Sequence, residues 1–123
     1  MEVTEHDEQA AVCSWLDVTH PDVLYWANPN GAWLAGNASK RAAQMNKLKA
    51  EGLLPGVSDL TVFEPRPPYS CLFLEMKTRS GRPTDNQLWF LRQVEARGAF
   101  GAVAYGFEEA KEVIEKYLEG KMK

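Results

Sequence analysis

From Glu5 to Leu16 the apolar residues return at helical spacing. Val12, Cys13 and Leu16 share a stripe with Glu5 and Gln9 in line above them. Thr4 precedes acids in the first turn as an N-cap would, so a helix is predicted from about Glu5 to Leu16. The run "DVLYWA" is short and apolar and ends at Asn28, Pro29, Asn30 and Gly31, the pattern of a strand entering a turn. A second helix is predicted over Ser39 to Glu51, with Lys47 and Lys49 in its last turns and Gly52 beyond its end. "SDLTVF" and "SCLFLEMK" flank the proline-rich "EPRPPY" and read as consecutive strands of a hairpin. In "PTDNQLWFLRQVEARG", Thr84 is a predicted N-cap, Leu88, Leu91 and Val94 form the apolar stripe, and Gly98 ends the helix. "AFGAVAY" reads as a buried strand, and Ala110, Val113, Ile114, Tyr117 and Leu118 mark an amphipathic last helix. The predicted order is αβαββαβα, a mixed α/β (α+β) chain with helices flanking one sheet.

Length and composition narrow this to one domain over residues 1–123. The 123 residues are 45% hydrophobic, enough for a single core without disulfides or metals. No run approaches the roughly 20 apolar residues of a membrane span. The acidic opening "MEVTEHDEQA" is unlike a signal peptide, so a cytoplasmic protein is expected. Cys13 and Cys71 lie among apolar neighbours without motif spacing and are read as reduced thiols.

The net charge of −3 hides an uneven distribution. Residues 1–22 and 108–119 are acid-rich, whereas "SKRAAQMNKLKA" carries Lys40, Arg41, Lys47 and Lys49 with no acid, and a second basic stretch begins with Lys77, Arg79 and Arg82. A polyanion such as DNA fits these stretches, although each taken alone also fits a solvated helix face.

The candidate chemistry lies in the hairpin. If its strands pair about a turn centred on Pro67, residues whose numbers total 134 oppose one another, which sets Asp59 against Glu75. Directly opposed residues have Cβ atoms about 4.5–5.5 Å apart, within reach of one divalent cation. Strand alternation puts Lys77 on the face of Glu75, with Leu72, Leu74 and Met76 on the other. A salt bridge between Lys77 and an acid is the plain alternative. It is disfavoured by the apolar character of both faces of "CLFLEM", which marks a central strand where a carboxylate is costly unless paired or coordinated. Hard oxygen ligands suit Mg²⁺ or Mn²⁺ and metal-assisted phosphodiester hydrolysis, with Lys77 orienting or deprotonating water or stabilising the transition state.

Asp59, a hairpin, then Glu75-x-Lys77 resembles the core of the PD-(D/E)xK nucleases. The ordered series "EHDEQ", "NPNG", "LKAEGLLPGVSDL", "FLEMK", "TDNQLWFLRQV" and "YGFEEAKEVIEKYL" resembles their VRR-NUC branch over nearly the whole chain. The resemblance implies a restriction-endonuclease-like fold. It also implies Asp59, Glu75 and the Met76 carbonyl as metal ligands, Lys77 as the catalytic lysine, Gln87 as a further site residue, and Glu5 reaching the metal directly or through water, with Glu8 in reserve. Gln87 has a second reading, a capping box with Thr84, and Glu5 has one as a first-turn acid favoured by the helix dipole. Two positions depart from the family pattern. Ser58 stands where proline is usual, and "NPNGAWLAGNASK" lacks an arginine that Lys40 or Arg41 would have to replace. Compact members resemble phage-encoded, homodimeric enzymes acting on branched DNA, Holliday junctions or flaps, in a bacterial or phage-infected host cytosol. The alternatives are a catalytically silent nucleic-acid-binding module of the same fold and a non-catalytic assembly protein.

Overall fold

The computed structural model describes residues 3–29 and 34–122, so Asn30 and Gly31 of the first turn and Trp33 lie outside the described residues. Its elements are α1 (Glu5–Thr19), β1 (Tyr25–Ala27), α2 (Ala38–Ala50), β2 (Leu60–Val62), β3 (Leu72–Lys77), α3 (Asp85–Glu95), β4 (Phe100–Tyr105) and α4 (Phe107–Leu118). This is the expected αβαββαβα order. The four strands form one mixed sheet in the order β1-β2-β3-β4, with β1-β2 and β2-β3 antiparallel and β3-β4 parallel. The architecture is that of a restriction-endonuclease-like fold.

The caps lie where the polar pattern puts them. The Thr4 hydroxyl accepts from the Asp7 N–H at 3.1 Å, and Asp7 returns the bond to the Thr4 N–H. Asn37 caps α2 through the Lys40 N–H, and Gly52, at φ +106°, follows its end. One face of the sheet presents Leu60, Val62, Leu72, Leu74 and Met76 to Val12 and Leu16 of α1 and to Ala110, Ile114 and Tyr117 of α4, all fully buried. The other face carries α3, whose Phe90 meets Phe73 edge-on at 5.2 Å between ring centroids. Cys71 is buried, Cys13 is half-buried, and both are free thiols.

Three expectations change. In α3 the buried pair is Phe90 and Leu91, while Leu88 is exposed, because the sheet meets the face carrying Phe90 rather than the one through Leu88. The segment expected as a buried strand, β4, is an edge strand: α3 and α4 pack on it, yet only Ala104 is fully buried. The hairpin turn is centred one half-step later than Pro67. Arg66 and Tyr69 exchange both main-chain hydrogen bonds at 2.9 Å, so their numbers total 135, whereas Leu60↔Leu74, Thr61↔Phe73 and Val62↔Leu72 total 134. Residues 63–65 therefore face only 70–71, an extra residue on the β2 side that restores the predicted register.

Tertiary bonds hold that extra residue in place. The Phe63 N–H donates to the Leu24 carbonyl, the Tyr117 hydroxyl to the Glu64 carbonyl at 2.6 Å, and the Arg66 guanidinium to the Leu118 carbonyl at 2.8 Å. The register is thus set by α4 and β1 as well as by the turn.

α2 differs from the other helices. It has no buried residue and packs on none of the other helices or strands. Gln44 ties it to Ala35 through the amide N–H to the Ala35 carbonyl at 2.8 Å, and Met45 faces the first turn of α3 across a cleft of ≈ 210 Å³. The connection from α2 to β2 is held close to α3 at Gly56. A Cβ there would lie 2.4 Å from the Asn86 carbonyl oxygen, so only glycine fits. No helix among the described residues is long and apolar enough to cross a membrane.

Candidate metal centre

The β2-β3 ladder ends at Leu60↔Leu74, and Asp59, the next residue out, meets β3 through its side chain beside Glu75 at the carboxyl end of the central strand. Asp59 is fixed at both its main chain and its side chain. Its carbonyl accepts from the Asn28 N–H at 2.8 Å, and its Oδ2 accepts from the Met76 N–H at 2.7 Å. The N-terminus of α1 supplies a third carboxylate. Glu5, Asp59 and Glu75 each offer an oxygen within 4.8 Å of the others. Glu8, one turn further along α1, points elsewhere: its Oε2 would lie 3.0 Å from a Cβ at Gly106, where α4 begins. That position favours glycine for its φ of +94°.

Lys77 completes the group, its Nζ 3.6 Å from Glu75 Oε2 with only 12% of the side chain exposed. With all three acids ionised, three carboxylates against one ammonium leave two negative charges, which one divalent cation would neutralise. Glu75 is the most demanding member. It is 1% exposed, and among the described residues neither of its carboxylate oxygens has a hydrogen-bond donor. An uncompensated buried carboxylate costs on the order of several kcal/mol, a large part of the roughly 5–15 kcal/mol that stabilises a whole domain. Burial first, and then the neighbouring Asp59 carboxylate, push the Glu75 carboxyl up to about 8, while Lys77 opposes the shift. Glu5 is also raised, mainly by burial. Unpartnered buried oxygens, hard donors and the charge balance all fit a divalent cation held by these three residues.

The profile of the VRR-NUC domain family matches residues 4–108. The chain belongs to that family. A solved structure of a VRR-NUC domain protein superposes with a TM-score of 0.81 at 21% identity, covering 97% of this chain and 91% of that one, so the VRR-NUC fold extends over almost all of the chain. No curated protein matches it. As a VRR-NUC member the chain is a nuclease-fold domain, and its three clustered acids lie where the hairpin and α1 converge.

The remaining candidates are dispersed over this VRR-NUC domain. Gln87 forms a capping box, its Oε1 accepting from the Thr84 N–H at 2.8 Å and its own N–H donating to the Thr84 hydroxyl at 3.2 Å. It also lines the cleft beside Met45 and Gly56. The Met76 main chain meets the cluster through its N–H, and its side chain is buried on the opposite face. Lys40, Lys47 and Lys49 are exposed along α2, while the Arg41 guanidinium donates to the Gly36 carbonyl at 2.9 Å. Arg82 is exposed, and Arg79 lines a hollow shared with Glu108, Glu109 and Glu112 that offset its charge. Trp26 and Trp89 are 42% and 43% exposed, whereas Trp15 packs against the core. In the sequence Asn28 stands as a turn residue and as part of the "NPNG" piece of the family resemblance, with no role of its own at the site. Its contact with Asp59 could have been anticipated only by extending the β1-β2 ladder past Ala27↔Leu60.

Proposed function

We propose that this protein is a divalent-metal-dependent endonuclease that hydrolyses phosphodiester bonds in DNA, selective for branched substrates such as four-way junctions or flaps and working as a homodimer in the cytoplasm. The observation that carries the reading is the cluster of Glu5, Asp59 and Glu75 with two unpartnered Glu75 oxygens beside Lys77. These three carboxylates, with the Met76 carbonyl as a further oxygen, would hold Mg²⁺ or Mn²⁺. Such an ion, when bound, neutralises phosphate charge and acidifies water.

The protein's own groups do the rest. The Met76 N–H keeps one Asp59 oxygen occupied and so aims the other at the cluster. The Lys77 ammonium, drawn to Glu75, would orient the attacking water or offset charge developing on the phosphate, and as the neutral amine Lys77 would take a proton from that water. The Gln87 oxygen is spent on the helix cap, which leaves its NH₂ group to meet substrate. Lys40, Lys47 and Lys49 on the unpacked α2 are the principal phosphate contacts, supplemented by Arg41 and Arg82 and, less strongly, by Arg79 among its glutamates. With one centre per domain, two copies would be needed to cut two strands symmetrically.

Incubation of the protein with a fluorescent four-way junction, a flap and a linear duplex, in Mn²⁺, Mg²⁺ or EDTA, tests the reading. Cleavage of the branched substrates is expected with metal and none with EDTA. Binding without cleavage in either metal would assign a silent DNA-binding module instead, and a Lys77→Ala variant that cuts as well as wild type would overturn the assignment of the cleavage to this site.

A further inference from the structure

Asn28 follows β1 and is half-buried, and nearly all of its hydrogen-bonding capacity is spent on the segment that carries Asp59. Its main-chain N–H donates to the Asp59 carbonyl at 2.8 Å. Its side-chain NH₂ donates one hydrogen to the Ser58 carbonyl at 3.1 Å and the other to the Thr61 hydroxyl at 2.9 Å. Its Oδ1 accepts from the Trp26 indole N–H at 3.1 Å. An indole only donates and a carbonyl only accepts, so Trp26 and Ser58 together dictate which way the amide points. Three bonds from one residue therefore grip positions 58, 59 and 61.

The grip has work to do. Ser58 is fully buried, its hydroxyl has no partner among the described residues, and it lacks the ring with which a proline would fix φ. Asp59 lies outside β2, where the β2-β3 ladder does not restrain it, and its carboxylate shares a cluster with those of Glu75 and Glu5. We infer that Asn28 is a positioning residue for the metal centre, holding the Asp59 segment in place so that its oxygens stay at coordinating distance from those of Glu75 and Glu5. This rests on the reading of the three acids as metal ligands, and it adds a residue that touches none of the ligand oxygens. Partners of this kind, which orient a ligand, typically contribute 10- to 100-fold in metal affinity. Trp26 acts one step further out, by selecting the amide orientation that makes both donations possible.

The test uses the full chain, with Mn²⁺ titrated by calorimetry and the Met76 amide followed by ¹⁵N NMR in metal-free protein. The Met76 amide reports directly on Asp59, whose carboxylate it donates to. Asn28→Ala should shift the Met76 resonance and weaken Mn²⁺ binding by about 10- to 100-fold, and Trp26→Phe should do both to a smaller degree. A folded Asn28→Ala protein with a lower Tm but an unmoved Met76 resonance and wild-type Mn²⁺ affinity would overturn the inference and leave Asn28 as scaffold. If Asn28→Ala does not fold, Trp26→Phe decides by the same two readouts, because its exposed indole can be replaced with little loss of packing. Wild-type protein that binds no Mn²⁺ would overturn the metal-centre reading and this inference with it, whereas wild type that binds Mn²⁺ beside an unaffected Asn28→Ala would overturn the inference alone.

Discussion

The carboxyl end of β3 and the helix α2 carry charges of opposite sign, and the fold treats them in opposite ways. The acids at the end of β3 are drawn inward: Glu75 is 1% exposed, Asp59 is gripped at main chain and side chain, and Lys77 is nearly covered. The lysines of α2 stand in solvent on a helix that packs on no other element. Coordination and proton transfer depend on positions to within fractions of an ångström, so their groups must be fixed by packing. Attraction of a polyanion depends on charge density over a surface, so its groups gain nothing from being fixed and lose solvation if buried. One region is expected to fail abruptly when a single atom moves, and the other to weaken in small steps.

The most severe break in the contrast is at the acids. Asp59→Asn or Glu75→Gln should lower Mn²⁺ affinity in calorimetry by more than about 100-fold, the upper end of what indirect partners contribute, and should abolish cleavage of a four-way junction. Lys77→Ala should come next, with turnover down by roughly 100- to 1,000-fold, as when one transition-state donor is removed. Its Mn²⁺ affinity should hold or rise, since a cation has been taken from a cation site, and a matching fall in affinity would count against a catalytic role.

A third expectation uses pH. The Glu75 carboxyl titrates at about 8 in the folded chain against an ordinary 4.5, so the folded state holds a proton that the unfolded state has released. Stability of the metal-free protein should therefore be greatest below about pH 4.5, as far as this group is concerned, and fall as pH rises toward 8. Thermal melts in EDTA should show that decline in wild type and a flatter profile in Glu75→Gln. Added Mn²⁺ should restore wild-type stability at the alkaline end. A decline of equal slope in Glu75→Gln would place its origin elsewhere.

The smallest effects belong to α2. Lys40→Ala or Lys47→Ala should weaken DNA binding in Ca²⁺ only a few-fold, lower the slope of log K against log salt by about 1 per lost phosphate contact, and leave Mn²⁺ affinity unchanged. If either substitution instead disturbed Mn²⁺ binding, α2 would be coupled to the acids and the division between the two regions would not hold.

How far each region could be read from sequence follows the same division. α2 is local: its cap, its basic residues and its closing glycine lie within sixteen residues from Asn37 to Gly52, and the helix was legible almost to the residue. Periodicity served α3 less well. Leu88 and Leu91 share a stripe in sequence, but the sheet selected the Phe90 side, and nothing in a helix's own pattern says which of two adjoining apolar stripes will meet a partner.

At the site, strand alternation and the spacing between Asp59 and Glu75 were enough to place them side by side, because a hairpin register is arithmetic once its offset is known. The offset itself was not local. The turn pairs Arg66 with Tyr69, and the extra residue that recovers the register is held by α4 and β1, distant in sequence. The choice of Glu5 over Glu8 depends on how α1 lies across the end of β3, and Asn28 acquires its bonds to Ser58, Asp59 and Thr61 only when β1 is laid beside β2. The sequence by itself determined the types of group available and the elements that carry them, because capping, alternation and helical period act over a few residues. Which of those groups meet was left to the tertiary structure, because carboxylates far apart in the chain share a cluster only where packing of the whole core can outweigh their repulsion.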